Sequence, residues 1–489
     1  MSAASLYLDL ANAVSAFPPA SKTSAVVDYA TLFELVTPNA SNSERERFLE
    51  YVKEKKQSAL GGLEKAVEIV AGRVSGFDFF GVTLPHLCET VRNIPLIFNG
   101  DAKVKILRKG EPGKLTLSRV QAMHSWPQVF FQSIPEIDDG SGRRDSTFGN
   151  ISWTKLQFES RAVVGVHRLA CLLTYFHMVA VQASTQPSAP TSEAAVSSLR
   201  GAIEELTAKD DPFIVFERVC RGDLIPSFGD LERMTEVPVI ATFDQPALIV
   251  TSTTRIEDVA SADAIVDFAN KQVQIGCIIA SATQEEIMFS IIPEAMIAVL
   301  VFEELNDDEA GLIHGARRFC NYTGYYHSFR YDGPCALHDD TAGQPPTIVI
   351  IDALENRGNL QFEDDPFKRD VAKALMGFLG VRKVRRSPHS SAEESLVPVV
   401  ATGGWGCGIF CGDQTLKFLQ QLIAASLAKC KLIYCTFGSQ EREHSFKMIA
   451  HRLQSRNITV ATVAAWVREY MAEVTDESDF ELFVLSKLK

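Results

Sequence analysis

Seven short runs rich in β-branched residues punctuate the second half of this 489-residue chain, with helix-length segments between most of them: PVIATF (238–243), ALIVTS (247–252), AIVDFAN (264–270), AVLVFEEL (298–305), TIVIIDALE (347–355), VPVVATG (397–403) and KLIYCTFG (431–438). Strands that alternate in sequence with helices make a layered α/β fold, expected here as a mixed sheet flanked by helices.

The preceding part of the chain, from Ser5 to about residue 181, reads differently. Apolar residues recur at three-to-four spacing over 43–56, 63–74 and 117–131, which predicts an all-α portion. The stretch 161–181 has the length of a membrane span, but His167, Arg168 and His177 interrupt it, and it reads as a buried amphipathic helix. ASTQPSAPTSEAAVSS (183–198) is too polar to pack and marks a boundary. Two amphipathic helices, near 441–456 and 460–474, close the chain. The expected organisation is a helical accessory region over 1–200, a catalytic core over 201–440, and C-terminal helices packing on the core over 441–489. The basic, Ser-rich insertion at 381–398 is read as a solvated loop.

Hydrophobic residues make up 46% and charged residues 22% of the chain, which is globular composition. A net charge of −13 excludes holding a polyanion through bulk electrostatics, so an anionic ligand must meet locally placed donors, and no direct nucleic-acid partner is expected. The ten cysteines are scattered, with no C-x-x-C pair and no zinc-like spacing, so the expectations are a reducing compartment, no metal and no cofactor. The N-terminal MSAASLYLDLANAVSAF carries Asp9 and no basic residue, unlike a signal peptide. An intracellular monomer, nuclear or cytoplasmic and without a membrane, is the expectation.

Three constellations carry chemistry. In AIVDFAN, Asp267 interrupts an apolar strand and Asn270 stands at its end, where α/β sheets place ligand-binding groups. Thr283, Gln284, Glu285 and Glu286 then open a helix. The T-x-x-E spacing is that of a capping box, while two adjacent carboxylates also suit general acid/base work on a glycosidic bond; both readings stand on spacing alone. In the second, VPVVATGGWGCGIFCGD runs from a strand into five glycines and then a helix, a pattern in which backbone N–H groups reach a diphosphate. It lacks the Lys and Ser/Thr of a P-loop, and no ribose-binding acid follows KLIYCTFG. The third is the aromatic set of RRFCNYTGYYHSFRYDG, with Phe410 and Phe437 in the later loops, where rings can stack on a nucleobase.

Together RIED (255–258), VDFAN (266–270), QEE (284–286), NYTGYYHSFR (321–330), IDALE (351–355), ATGGWGCGIFCGD (401–413) and YCTFG (434–438) resemble the poly(ADP-ribose) glycohydrolase family, in the family's order. The resemblance implies a macrodomain-like mixed sheet with an N-terminal helical accessory region. It also implies hydrolysis of ribose–ribose bonds in poly(ADP-ribose), mainly exo-type, releasing ADP-ribose, with poly(ADP-ribosyl)ated proteins as partners. By position, Glu286 resembles the acid/base, Glu285 and Asn270 the groups on the ribose hydroxyls, and Asp267 a residue supporting their loop. Gln284 belongs to the same substrate-binding set. Ile256 and Glu257 match contacts to the adenine edge, Phe437 its stacking partner and Tyr325 a diphosphate contact; Gly406, Gly408, Ile409 and Phe410 form the loop around the phosphates and distal ribose.

One position departs from the family pattern. Where the family has three consecutive glycines before its acidic pair, this chain has Gln274, Ile275 and Gly276, at unchanged spacing from Asn270 to Gln284. Side chains there block any φ > 0 conformation that required glycine. A competing expectation is therefore a macrodomain that binds ADP-ribose chain ends with little turnover; a third is a hydrolase of mono-ADP-ribose or of a nucleotide sugar.

Overall fold

The computed structural model describes residues 7–9, 61–83, 86–87, 103–119, 121–123, 163–184, 213–220, 226–240, 247–273, 282–335, 344–355, 358–381, 397–473 and 479–489. The expected helix over 43–56, most of the 183–198 linker, the 274–276 replacements and most of the 381–398 insertion lie outside them.

The strands are β1 (Tyr7–Asp9), β2 (Lys103–Lys105), β3 (Gly113–Ser118), β4 (Phe213–Cys220), β5 (Leu248–Thr251), β6 (Ala264–Ala269), β7 (Glu309–His314), β8 (Cys320–Thr323), β9 (Arg330–Pro334), β10 (Thr347–Asp352), β11 (Val399–Gly403) and β12 (Lys431–Cys435). The helices are α1 (Gly61–Ala71), α2 (Val163–Ser184), α3 (Phe228–Arg233), α4 (Gln284–Ile291), the single turn α5 (Ala298–Val301), α6 (Asp364–Leu379), α7 (Gln414–Ala428), α8 (Gln440–Ser455), α9 (Val460–Glu473) and α10 (Phe480–Lys487). Eight strands form one mixed sheet in the order β3-β4-β7-β10-β6-β11-β12-β5. The five from β10 to β5 run parallel, and β7, β4 and β3 extend the sheet with antiparallel pairings.

A core lies on each face of the sheet. Ile265, Ala269, Ile348, Ile350, Ala401 and Ile433 face one core with α2 and α4. Their neighbours Ala264, Val266, Val349, Ile351, Val400 and Leu432 face the other, with α6, α7 and the C-terminal helices. Residues 163–181 of that segment fall in α2, which is long and apolar enough to cross a membrane yet has 78% of its most apolar window buried inside the fold. Leu169, Leu172, Leu173, Tyr175 and Phe176 are all buried, and the helix packs on α1 and α4.

Four expectations of local structure are corrected. AVLVFEEL is not a strand: Pro293 opens a 3₁₀ turn over Pro293–Ile297 that continues into α5, every residue buried. An apolar run of this length fits helix or strand, and proline at the first helical position favours the former. The helix expected over 117–131 gives way at its start to β3, where Leu115 and Leu117 point inward and Lys114 and Thr116 outward; the N-terminal part is predominantly helical rather than all-α. Strands β4 and β7 were not expected because charges interrupt them, and Arg218 of β4 and Glu309 of β7 pair with both side chains at 0% exposure. A third C-terminal helix, α10, follows the two expected ones, capped by Asp479.

Glu309 also accepts from Asn306 N at 2.9 Å, so it ties β7 to β4 and to the loop that precedes β7. Arg218→Met leaves this carboxylate buried without its cation and is expected to cost about 3–5 kcal/mol. Urea denaturation checks this, and a loss below about 1 kcal/mol would show that the pair is dispensable.

Candidate functional site

A cavity of about 460 Å³ opens across the carboxyl ends of β5, β6, β11 and β12, the edge at which parallel sheets present their loops. Of the residues expected at a site, Ile256, Glu257, Asn270, Gln284, Glu285, Glu286, Tyr325, Gly406, Gly408, Ile409, Phe410 and Phe437 all line it. Asp267 does not; it lies beneath, fully buried in β6.

The acidic pair opens α4, and the spacing rule and the chemistry coexist there. Thr283 caps the helix, and Glu286 reaches back: Thr283 N–H donates to Glu286 Oε2 at 2.6 Å, and the Thr283 hydroxyl donates to the same oxygen. Among the described residues Oε1 of Glu286 accepts nothing, so one oxygen is fixed by the box and the other is left for a ligand. The Glu285 carboxylate accepts a long bond from Asn270 N at 3.4 Å. Glu285 and Glu286 are 4% and 6% exposed, so their carboxylates meet protein atoms and whatever enters the cavity rather than bulk water.

Gln284, expected to touch substrate, is spent otherwise. Its side-chain amide donates to Val266 O at 2.9 Å and accepts from Phe268 N at 2.8 Å, mimicking a strand partner and docking the start of α4 on β6. From the other side, buried Arg168 of α2 donates to Ser290 Oγ at 3.0 Å, and Ser290 Oγ donates to Glu286 O at 2.6 Å. The helical region thus grips the helix that carries the acids, a contact without a signal in the sequence because Arg168 read only as an interruption of an apolar stretch.

Asp267 is registered opposite Ile350 of β10, and among the described residues neither of its oxygens has a hydrogen-bond partner. Burial, with the Glu286 carboxylate adding to it, holds its carboxyl well above the usual aspartate range.

Facing the acids, the turn after β11 winds tightly. Gly412 N–H donates to Gly406 O at 2.9 Å and Cys411 N–H to Gly408 O at 3.0 Å, while among the described residues the amides of Gly406, Gly408, Ile409 and Phe410 donate to no acceptor. Gly406 has φ +73, and a Cβ there would stand 2.6 Å from Ala353 Cβ, so no other residue fits. Behind the turn runs a buried alternation of charge. Lys417 of α7 pairs with Asp370 of α6; Arg369 bonds Asp370 at 2.9 Å and also Asp352 at the end of β10; Lys373 meets Asp352 at 2.5 Å. Lys417 also lies 4.9 Å from the Trp405 ring centroid, beneath the turn.

At one end of the cavity the Tyr322 hydroxyl donates to Glu257 Oε1, and Arg255 lies 4.2 Å over the Tyr322 ring while bonding Asp258 at 2.5 Å. Tyr325 and Phe437 meet edge to face at 4.7 Å across the mouth. Phe437 is 64% exposed at φ +51, followed by Gly438 at φ +81, so the turn after β12 presents the ring outward rather than into the core. Burial pushes the Tyr325 hydroxyl up, and the nearby Glu286 carboxylate adds to the shift. Tyr322 and Arg255 were seen in the sequence only within the aromatic set and the RIED motif; the bond from Tyr322 to Glu257 is a tertiary contact across 65 residues.

Two family models match: one described as poly(ADP-ribose) glycohydrolase, macro domain fold, over residues 239–444, and one as the helical domain of the same enzyme over residues 75–196. The chain is 26% identical to poly(ADP-ribose) glycohydrolase 2 of Caenorhabditis elegans over 84% of its own length and 80% of that protein. It is 29% identical to poly(ADP-ribose) glycohydrolase 1 of the same organism, over 53% of this chain and 32% of the relative. Against poly(ADP-ribose) glycohydrolase 1 of Arabidopsis thaliana it is 31% identical, over 45% of this chain and 50% of the relative. The chain thus spans half or less of the length of the last two.

Asp267 gives this region a pH signature. Because its folded-state pKa is raised, the native state keeps a proton that an unfolded chain releases near pH 3.9. The stability tied to that proton is present below the unfolded value and is lost as pH rises toward the folded one. Asp267→Asn removes this slope, so its stability relative to wild type is expected to improve as pH is raised from 4 toward neutrality. Urea midpoints at several pH values test this; parallel curves for the two proteins would mean that Asp267 ionises normally.

Proposed function

The chain belongs to the poly(ADP-ribose) glycohydrolase family, and from that premise we propose that it hydrolyses ribose–ribose bonds of poly(ADP-ribose) from the free end, releasing ADP-ribose. The observation that carries this reading is the placement of Glu286, with one free oxygen, across a single cavity from a turn whose amides are unclaimed. Glycosidic cleavage needs an acid on the leaving oxygen and a base for water, separated by an oxocarbenium-like state. Glu286 gives its proton to the leaving ribose oxygen as the C–O bond breaks; the resulting carboxylate then takes a proton from the attacking water and is restored. Glu285 and Asn270 hold the ribose hydroxyls. The free amides receive the diphosphate, Glu257 and Ile256 face the adenine edge, and Phe437 stacks on the base. A cavity of about 460 Å³ is sized for one nucleotide-like unit, which supports attack at a chain end rather than midway.

Poly(ADP-ribosyl)ated proteins are the proposed partners. The eight described cysteines are free thiols, Cys411 among them exposed, which supports an intracellular setting, nuclear or cytoplasmic.

Glu286→Gln keeps the shape and loses the proton, so polymer hydrolysis is expected to fall by about 10²–10⁴-fold while ADP-ribose affinity stays nearly constant. Product analysis on labelled polymer reads the first and calorimetry the second; near-wild-type turnover by the variant would end the assignment. A wild-type protein that binds ADP-ribose and releases none from polymer would select the binding-module reading instead.

Phe437→Ala is expected to weaken ADP-ribose by about 1–3 kcal/mol, the worth of one stacked base. The ring's 64% exposure means that little folding energy is at stake, so an unchanged melting temperature should accompany the loss.

A further inference from the structure

Two guanidinium groups stand in the cavity wall, Arg255 and Arg442, together with three carboxylates, Glu257, Glu285 and Glu286. Arg255 is committed: it bonds Asp258 at 2.5 Å, donates to Tyr322 O at 3.1 Å and covers the Tyr322 ring. Arg442 is not. Its backbone N–H donates to the capping Ser439 Oγ at 3.2 Å, but among the described residues its guanidinium has no carboxylate, carbonyl or hydroxyl partner.

Its position makes that freedom informative. Arg442 lies in the first turn of α8, a 16-residue helix, where the helix dipole disfavours a cation and favours the neighbouring Glu441 and Glu443. Glu443 is engaged with Ser252 N at 2.8 Å and with Lys447, not with Arg442. The fold therefore gains nothing from a positive charge at this point. An ADP-ribosyl unit, however, brings two phosphates into a wall that carries three carboxylates and one already neutralised arginine, in a chain of net charge −13. Amide dipoles alone meet that charge without cancelling it.

The side of the cleft is also defined. Burial raises the Cys407 thiol to about 12, and Arg442 is among the charges that oppose the rise. Burial likewise raises the Tyr434 hydroxyl, and Arg442 opposes that shift too. Cys407 of the glycine-rich turn and Tyr434, whose buried hydroxyl has no partner among the described residues, line the same cavity as Arg442, together with Gly406, Gly408, Ile409 and Phe410, whose amides are free.

We propose that Arg442 is the substrate's diphosphate counter-ion: the one uncommitted cation of the described cavity wall, joining the N-terminal turn of α8 to the amides of the glycine-rich turn, and a residue that sets affinity rather than chemistry. This rests on reading the cavity as an ADP-ribosyl site. Arg442 touches neither acid, so its contribution belongs in KM and in the salt dependence of binding.

The test uses the full chain with Arg442→Gln and Arg442→Lys, titrated with ADP-ribose and with adenosine at low and high salt. Arg442→Gln is expected to weaken ADP-ribose by about 10–30-fold, the loss of a charge-assisted contact, while adenosine binding stays within about twofold. The salt dependence of ADP-ribose binding should largely vanish in that variant and return in part with Arg442→Lys. KM for polymer should rise with kcat little changed. Equal losses for adenosine and ADP-ribose would reveal a distorted pocket and overturn the proposal, as would an unchanged ADP-ribose affinity. Failure of the wild-type protein itself to bind ADP-ribose would refute the reading of the cavity, and this inference with it, a result distinct from either variant outcome.

Discussion

Lys417, Asp370, Arg369, Asp352 and Lys373 alternate in sign along a chain of contacts that almost no water reaches, none of the five side chains being more than 9% exposed. A buried pair of this kind does little for net stability, because the cost of leaving water offsets the attraction; its effect is to forbid other arrangements. Here the members come from the end of β10, from successive turns of α6 and from the first turn of α7. Removing any one strands its neighbour's charge, so the three elements hold one relative position. The glycine-rich turn lies directly on this assembly, with Lys417 Cε 2.9 Å from where a Cβ on Gly412 would be. The unclaimed amides are thereby fixed in place before any ligand arrives, the condition under which dipoles stabilise an anion most.

Much of the fold was legible because two periodicities survive in the sequence. Strands β6, β10, β11 and β12 are predominantly apolar, and α8 and α9 follow a helical stripe, so their places could be read directly. What was lost shares one cause. Arg218, Glu309 and Arg168 are charged residues that a pattern reader assigns to the surface, yet each is buried because its partner lies about 90 to 120 residues away in sequence. The run AVLVFEEL failed for the opposite reason, its first five residues being apolar without a break and therefore silent about their period. At the site, nearly every residue singled out in the sequence lines the cavity. Motif spacing could not tell which side chains the fold itself employs: Gln284 turned to β6, and Asp267, expected to support the loop, lies buried beneath the cavity.

The opening of α4 shows why the modest and the ambitious readings of T-x-x-E need not compete. A helix must satisfy its first amides, and a carboxylate at the third position does so with one oxygen. That same bond removes the rotational freedom of Glu286, which the acid role proposed for it would require it to surrender before a proton could pass along a defined direction. Local capping thus performs the orientation that a separate side chain would otherwise supply. Tyr325, Asp267 and Glu285 surround the group with poorly hydrated neighbours, so its environment is set by protein atoms.

Strand β3 carries a consequence for how this molecule comes to exist. It belongs to the mainly helical part of the chain, yet it pairs along its whole length with β4 and completes one border of the sheet. Without it, β4 would offer a row of open N–H and C=O groups, the kind of border along which chains stick to one another. The helical part is therefore a chaperoning edge as well as a platform for α4. Since nearly a hundred residues separate the two paired strands, the sheet cannot be finished until β4 has left the ribosome, and the early segment must wait, partly ordered, for the sequence it protects.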